Sequence, residues 1–179
     1  MLSGKCIVLG VTGGIAAYKA CEIVSRLKKL HANVRVVMTE HACRFVAPLS
    51  FETLSGNQVY ISQFDHNWEI EHISLAKSAD LMLIAPATAN VIGKIANGIA
   101  DDLMSTTAMA MTAPMLIAPA MNTAMWKNPA TQKNVATLAE RGVKYVGPES
   151  GFLACGDADV GRMSEPVKIV EEVCRLLTR

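Results

Sequence analysis

Residues 5–30, KCIVLGVTGGIAAYKACEIVSRLKKL, decide the fold of this chain. Residues 5–11 are apolar and rich in β-branched side chains, which predicts a strand buried on both faces. This strand leads directly into Thr12, Gly13 and Gly14, and residues 15–30 then follow a helical pattern of apolar positions. A buried strand, a glycine turn and a helix in this order are typical of the first unit of a parallel α/β sheet.

The glycine turn offers an anion site, because backbone N–H groups at a helix start lie open where no Cβ covers them. A dinucleotide fingerprint requires GxGxxG, whereas the glycines here stand at positions 10, 13 and 14. The next predicted strand ends at Thr39, whose hydroxyl suits a phosphate better than a ribose diol; Glu40 is the only candidate for a ribose-binding acid. The alternative is that these glycines only pack the helix against the strand.

The remainder of the chain continues the alternation of strand and helix. Apolar runs predict further strands over residues 33–38, 81–87, 115–118 and 144–146. Helical patterns follow residue 90 and cover residues 101–112, 128–141 and 165–177, with short helical pieces between residues 40 and 56 that Pro48 divides. Residues 56–68 and 148–163 are predicted loops. We therefore predict an α/β fold, a three-layer, doubly wound parallel sheet of Rossmann or flavodoxin-like type, in a single domain over residues 1–179.

Composition excludes several classes of function. The net charge of +1 and the lack of a Lys/Arg cluster with interleaved aromatics argue against nucleic acid and anionic membranes as partners. The longest apolar runs fall far short of the ~20 residues of a membrane span, and a strand begins near the N-terminus without a signal-peptide core, so we expect a cytoplasmic protein. The five cysteines form no CxxC and no Cys/His pair at zinc spacing, so we expect neither a metal site nor disulfides.

Polar side chains come directly after two of the predicted strands. Thr88 and Asn90 come after strand 81–87, and Asn122, within PAMNTAMW at residues 119–126, comes after strand 115–118. Ligands of open α/β sheets bind outside the carboxyl ends of the strands, so these three side chains are candidate ligand contacts. The structural alternative for each is to cap the N-terminus of the following helix.

Two residues are candidate reactive groups. Cys155 lies in LACGDADVGRM, residues 153–163, where Gly151, Gly156 and Gly161 predict a loop that solvent and substrate can reach. His72 is predicted just before a short helix that leads into strand 81–87, and a pKa near neutrality suits it to general-base chemistry. A structural alternative for His72 is a cap or a satisfied core residue. The other cysteines are expected to behave as small buried hydrophobes.

Five segments together resemble one family. GVTGGIAAYK, EHISLAKSAD, LIAPATAN, PAMNTAMW and ACGD followed by GRM are similar to the flavin-dependent cysteine decarboxylases, and within them most to the phosphopantothenoylcysteine decarboxylases of coenzyme A biosynthesis. The resemblance covers about residues 5–175. PAMNxxMW with a downstream ACGD is the specific part of this signature, whereas the glycine turn alone would be weak.

The resemblance implies FMN as the cofactor and assigns roles to individual residues. His72 would be the active-site histidine, Cys155 the proton donor and Asn122 the group that holds the substrate carboxylate, with Ala154 and Met163 against the substrate. The implied flavin contacts are Gly13, Gly14, Ile15, Thr39, Thr88, Ala89, Asn90 and Ala120. The family usually has glycine at the position of Asp159.

The implied reaction converts phosphopantothenoylcysteine into phosphopantetheine and CO₂. The nitrogen of an N-acylated cysteine is an amide that cannot form an imine with pyridoxal phosphate, so the electrons left by CO₂ need another acceptor. Flavin provides one by oxidising the thiol-bearing carbon to a thioaldehyde and later returning the hydride. Asn122 would orient the carboxylate, and Cys155 would protonate the resulting enethiolate.

The resemblance also leaves alternatives and implies partners. A peptidyl-cysteine oxidative decarboxylase would stop at the enethiol, and a non-catalytic flavin-binding regulatory subunit would lack turnover. The family forms trimers or dodecamers with flavin between subunits, so we expect a homo-oligomer, for which the methionine-rich helix at residues 101–112 is a candidate contact. A phosphopantothenate–cysteine ligase domain is a further expected partner if the chain is the amino-terminal part of a bifunctional protein.

Overall fold

The computed structural model describes residues 1–64, 70–152 and 158–178. Its core is a parallel six-stranded sheet with the spatial order β3-β2-β1-β4-β5-β6. The strands are β1 (Cys6–Val11), β2 (Asn33–Met38), β3 (Val59–Tyr60), β4 (Leu81–Ala87), β5 (Met115–Pro119) and β6 (Lys144–Tyr145). All five strand pairs run parallel, and this order is that of the doubly wound Rossmann sheet.

Eight helices connect or flank these strands in the described part of the chain. They are α1 (Ala17–Lys29), α2 (Pro48–Ser55), α3 (Glu71–Ser78), α4 (Ala89–Ala96), α5 (Leu103–Ala110), α6 (Thr123–Lys127), α7 (Pro129–Glu140) and α8 (Pro166–Leu177). A single 3-10 turn, Ala42–Arg44, precedes α2. Pro48 is the first residue of α2, where its missing N–H costs nothing, so it separates the two short helical pieces as predicted.

The sheet separates two hydrophobic layers. Alternate residues of β1 point to opposite faces, so Ile7 and Leu9 pack with α1, α2 and α8, whereas Val8 packs with α3, α4, α5 and α7. Every residue of β4 is fully buried, because helices cover both of its sides. This arrangement confirms the predicted three-layer α/β class.

One predicted loop is wrong. Residues 148–163 contain two antiparallel strands, β7 (Glu149–Phe152) and β8 (Ala158–Arg162), which form a small second sheet. Gly151 and Gly161, which were the basis of the loop prediction, lie inside these strands. Gly161 allows a close contact, because a Cβ there would lie 2.3 Å from the carbonyl oxygen of Met121; a Cβ on Gly151 would lie 3.5 Å from the Arg162 side chain, an ordinary contact distance.

Two smaller expectations also need correction. His72 is the second residue of α3 and does not precede the helix, because Ile70 already occupies the cap position. The predicted irregular stretch of residues 56–68 contains β3, a two-residue edge strand beside β2. Among the described residues, no helix has the length and apolar character that crossing a membrane requires.

Candidate active site

The strand order creates a switch point between β1 and β4. The chain builds outward from β1 through β2 to β3 on one side, while β4, β5 and β6 occupy the other side. The carboxyl ends of β1 and β4 therefore border a crevice, the place where doubly wound sheets bind ligands. Buried Thr12 ties these two ends together, because its hydroxyl donates to the Pro86 carbonyl at 2.7 Å and accepts the Thr88 N–H at 3.1 Å.

A cavity of about 520 Å³, called the first cavity here, opens at this crevice. The glycine turn and the start of α1 form one wall, and the residues that follow β4 and β5 form another. Most of the lining side chains are small or apolar, and Thr88 and Asn122 are among the few polar ones. An apolar cavity of this size with a few polar groups is typical of small-molecule sites.

A second cavity of about 670 Å³ lies on the other side of the glycine turn. It is bordered by the residues after β2, by the segment 61–64 and by the starts of α4 and α5. Its lining is more polar than that of the first cavity and includes Thr39, Glu40 and Lys94. Gly13, Thr88 and Met125 line both cavities, so the two spaces are neighbours.

The structure brings most of the predicted site residues to these two cavities. Of the residues assigned by resemblance, those lining the first cavity alone are Gly14, Ile15, Ala89, Ala120, Asn122 and Met163, those lining both are Gly13 and Thr88, and those lining the second are Thr39 and Asn90. These residues come from four strand ends and from β8. Their convergence is a tertiary property that no single motif contains.

The glycine turn has the geometry of an anion site. Helix α1 starts after Ala16 beside the first cavity without a side-chain cap, and within the turn the Gly14 N–H donates to the Thr12 carbonyl at 3.0 Å and the Ala17 N–H to the Gly14 carbonyl at 2.9 Å. Gly13 cannot carry a side chain, because a Cβ would lie 2.4 Å from the Cβ of His41. These features fit FMN: an apolar cavity suits the ring system, and the uncapped helix start and the Thr39 hydroxyl suit a phosphate.

The cap alternatives for Thr88, Thr39 and Asn122 are realised in the structure. Thr88 Oγ1 accepts the Val91 N–H at 3.4 Å, and Thr39 Oγ1 accepts the Ala42 N–H at 3.2 Å. The Oδ1 atom of Asn122 accepts the Ala124 N–H at 2.8 Å and so caps α6. Capping fixes the side chain of Asn122 on the cavity wall, with the amide oxygen as acceptor and the NH₂ group as the donor end. A capping role and a ligand role are therefore compatible at this residue.

Strand β8 is attached to the segment that carries Asn122. Met121 N donates to the Gly161 carbonyl at 3.0 Å, and Thr123 Oγ1 donates to the Val160 carbonyl at 2.8 Å. Asp159 pairs with Lys127 of α6 at 2.5 Å, and this pairing lowers the pKa of Asp159. These links bring Met163, which is buried, to the same cavity as Asn122.

Of the other predicted site residues, one lies apart from this cluster and two are outside the described part of the chain. His72 lies in α3, is partly buried and lines neither cavity. Ala154 and Cys155 lie outside the described residues, so their predicted roles stay predictions. Cys6 and Cys21 fit the expected structural role, because burial raises the pKa of both thiols and keeps them protonated at neutral pH.

A charge cluster around Lys94, whose side chain is 18% exposed, borders the second cavity. Lys94 contacts Asp101 at 2.6 Å and Asp102 at 2.7 Å. Burial raises the pKa of Asp102, but the hydrogen bonds from Lys94 and from the Ser105 N–H outweigh burial and leave that pKa lowered. Asp102 also caps α5 through a capping box with Ser105, so the cluster fixes the start of that helix. In the described part of the chain no group of three His, Cys, Asp or Glu side chains is placed to hold a metal ion.

Sequence reasoning missed several residues of the site. Thr12, Lys19, Met121, Met125 and Arg162 line the cavities or tie their walls, yet none was assigned a role. Met121 and Met125 belong to PAMNTAMW and Arg162 precedes Met163, so adjacency to the quoted motifs was the available signal. Lys19 is the last residue of the quoted GVTGGIAAYK, but only packing brings it to Glu165 after β8.

The family model and the curated relatives agree with the family resemblance found in the sequence. The Flavoprotein family model matches residues 1–178. The coenzyme A biosynthesis bifunctional protein CoaBC of Bacillus subtilis is 51% identical over 173 residues, which are 96% of this chain and 43% of the relative. CoaBC of Escherichia coli strain K12 is also 51% identical, over 95% of this chain and 42% of the relative. The chain thus spans less than half the length of these relatives.

Solved structures resemble the chain over nearly its whole length. A cysteine-to-serine variant of PPC decarboxylase complexed with pantothenoylaminoethenethiol superimposes with a TM-score of 0.87 at 32% identity, covering 98% of this chain and 99% of that one. The FMN-dependent cysteine decarboxylase SpaF superimposes with a TM-score of 0.82 at 31% identity, covering 97% and 99%. Together with the family model, these similarities show that the chain belongs to the Flavoprotein family.

Proposed function

We propose that this chain is an FMN-dependent decarboxylase that converts phosphopantothenoylcysteine into phosphopantetheine and CO₂ in coenzyme A biosynthesis. The observation that carries the proposal is the convergence of Asn122, Met163 and the glycine turn on one apolar cavity at the switch point. Relatives named CoaBC and a PPC decarboxylase of the same fold support it. The fold alone does not specify a reaction or a substrate, so both are part of what we propose.

FMN would be held across the two neighbouring cavities. Gly13, Gly14 and Ile15 would contact it with the backbone that precedes α1, where the Gly14 N–H already donates to the Thr12 carbonyl, and Ala89 and Ala120 leave room for the ring system. Thr39, Thr88 and Asn90 supply polar contacts toward the second cavity. When bound, FMN supplies a two-electron acceptor that takes a hydride from the thiol-bearing carbon and returns it after CO₂ has left.

Asn122 would orient the departing carboxylate. Loss of CO₂ requires the bond to the carboxyl carbon to stand out of the plane of the neighbouring electron-accepting group, so a fixed hydrogen-bond donor contributes through orientation. The cap on α6 fixes Asn122 by its oxygen, and the neutral NH₂ group is the end that would donate to the carboxylate. A neutral donor suits this step, because a cation at the same place would stabilise the carboxylate that has to be lost.

Cys155 would protonate the carbon of the enethiolate, which gives the thioaldehyde that the returned hydride reduces to the thiol. Ala154 and Met163 would lie against the substrate. The attachment of β8 to residues 121–127 supports this assignment, because β8 begins directly after the segment that contains Cys155. The relative crystallised as a cysteine-to-serine variant is complexed with an enethiol, pantothenoylaminoethenethiol. An enethiol is the compound that should remain when the donor is missing.

His72 of a second copy of the chain would assist removal of the thiol proton from the substrate. Within one copy it lines neither described cavity, while the resemblance places the flavin between subunits. We therefore propose a homo-oligomer, a trimer or a dodecamer, in which α3 of one subunit reaches the cavities of the next. A phosphopantothenate–cysteine ligase domain is the further partner that the bifunctional relatives suggest.

The direct test is incubation of the FMN-loaded protein with phosphopantothenoylcysteine, followed by CO₂ detection and mass analysis of the product. The proposal expects CO₂ and phosphopantetheine without an added oxidant or reductant. An enethiol, lighter by two hydrogen atoms, would instead show an oxidative decarboxylase. Absence of CO₂ with the flavin bound would favour a non-catalytic regulatory protein.

A further inference from the structure

The first cavity carries an electrostatic asymmetry that the proposed reaction does not use. Lys19 of α1 and Arg162 of β8 are the charged residues among its described lining side chains, and both are cations. They come from elements far apart in sequence and lie on the same side of the cavity. A cavity whose charged wall is entirely positive favours an anionic ligand group.

A single carboxylate links the two cations. Glu165, in the cap position of α8, contacts Lys19 Nζ at 3.0 Å and Arg162 Nη2 at 2.7 Å. Two positive charges share one negative charge, so the group as a whole keeps a net positive charge. The same contacts restrain both side chains, which lowers the entropic cost of adding another anion.

Arg162 retains hydrogen-bonding capacity. Its Nε atom is buried and has no hydrogen-bond partner among the residues that the structure describes. Because Nε is buried while the side chain as a whole is 39% exposed, the donors that can reach a ligand are the terminal Nη atoms, and guanidinium groups bind phosphate through such paired N–H donors. Gly151 on β7 leaves the space in which this guanidinium packs.

The cationic pair lies at the rim of the cavity. Ile15 and Tyr18, which also line the cavity, are 61% and 59% exposed. The side chain of Lys19 is 16% exposed and that of Arg162 is 39% exposed, so a ligand group bound there would remain partly in water. Asn122 follows β5, in the segment that β8 contacts through the Met121–Gly161 hydrogen bond.

We propose that Lys19 and Arg162 form a phosphate subsite that recognises the phosphate monoester of the substrate. This inference rests on the proposed function, which supplies a substrate with a carboxylate at one end and a phosphate at the other. The carboxylate belongs at the neutral amide of Asn122, because direct pairing with a cation would oppose its loss. The phosphate keeps its charge throughout the reaction, so cations at the rim improve its binding without opposing the chemistry.

The test compares kcat/KM for phosphopantothenoylcysteine and for its dephosphorylated form in the FMN-loaded protein. Arg162→Gln and Lys19→Gln should each lower the ratio of the two values about tenfold, since a charge-assisted contact at a partly exposed site is lost. Glu165→Gln should raise the ratio, because it frees both cations from their shared carboxylate. The matched control is Lys28→Gln, which removes an exposed lysine in the last turn of α1 that lines neither cavity and should leave the ratio unchanged.

Binding measurements keep this inference separate from the proposed function. Calorimetric titration of the FMN-loaded protein with each form of the substrate should show tighter binding of the phosphorylated form, and Arg162→Gln should reduce that preference. If wild-type protein shows the preference but releases no CO₂, the proposed function fails and the subsite stands. Equal affinities for the two forms, or a ratio unchanged in both cation variants, would overturn the subsite.

FMN also contains a phosphate, and a separate arm distinguishes it. Affinities of the flavin-free protein for FMN and for riboflavin should keep the same ratio in wild type and in Arg162→Gln. A loss of FMN preference confined to the Arg162 and Lys19 variants would overturn the assignment, because the cations would then serve the cofactor.

Discussion

Replacing Asn122 by aspartate tests the carboxylate site with little disturbance of the fold. Asp and Asn are equally good N-caps, and the Asn122 oxygen already accepts the Ala124 N–H at 2.8 Å, so Asn122→Asp should still cap α6. The substitution alters only the donor end, which becomes a second negative charge facing the substrate carboxylate.

The size of the effect depends on Coulomb repulsion. Two unit charges about 4 Å apart repel by about 4 kcal/mol at an effective dielectric constant near 20 and by about 1 kcal/mol in water. Asn122 is half-buried on the wall of an open cavity, so a value of about 2 kcal/mol lies between these limits. Substrate binding should therefore weaken roughly 30-fold.

The assay is titration of FMN-loaded protein with phosphopantothenoylcysteine, together with the flavin content and thermal unfolding of each variant. Asn128→Asp is the matched control, because Asn128 caps α7 by the same contact, to the Ala130 N–H at 2.9 Å, and does not line either cavity. Both variants should retain FMN and unfold close to the wild-type temperature. Equal substrate affinity in Asn122→Asp and Asn128→Asp would remove Asn122 from the carboxylate site.

Three further changes test other parts of the site. Gly13→Ala should destabilise the fold by about 1–3 kcal/mol, because the new Cβ would overlap His41, whereas Gly14→Ala, whose Cβ would lie 3.7 Å from the nearest atom, should stay within about 1 kcal/mol of wild type in urea unfolding. Cys155→Ser should release CO₂ but leave an enethiol and a reduced flavin; phosphopantetheine formed at the wild-type rate would disprove the donor role. Hydrogen bonds from the Cys6 N–H and Lys5 hold the pKa of Asp80 below its ordinary 3.8, so its stabilisation is complete above about pH 4 and is lost as pH falls through the lowered value. The difference in stability between wild type and Asp80→Asn should thus shrink below about pH 4, and a difference constant with pH would contradict this linkage.

The strands of the central sheet could be predicted because buried parallel strands have a strong local signal. Residues 81–87 form an uninterrupted apolar run, and the observed strand β4 has these bounds. The same reasoning correctly placed Thr88, Asn90 and Asn122 beyond strand ends, since the segments after parallel strands all begin at one edge of the sheet. The fold class could be predicted from this regularity.

A glycine can mark either a loop or a strand position that a neighbouring segment approaches closely, and the sequence did not distinguish these two roles. Gly151 and Gly161 suggested a loop, yet both lie in strands, and Gly161 allows the Met121 carbonyl to approach closely. That contact depends on Met121, which reaches β8 only through tertiary packing. The second sheet was therefore missed; Met163, directly after β8, lines the first cavity.

Contacts between distant elements were the other part that the sequence could not provide. Thr12 joins β1 to β4 at a sequence separation of 74 residues, and Lys19 meets Glu165 at a separation of 146. No periodicity or short motif contains such pairings. The cationic pair at the rim of the first cavity could be recognised only after the fold had been established.

The most direct test of the central claim is a crystal structure of the Cys155→Ser variant grown with FMN and phosphopantothenoylcysteine. We expect the flavin against the glycine turn at residues 13–15 and the enethiol in the first cavity, with Asn122 within hydrogen-bonding distance of the site that the carboxylate has left. A flavin bound elsewhere, or an enethiol beyond the reach of both Asn122 and residue 155, would contradict the proposal that cofactor and substrate meet at the β1–β4 switch point.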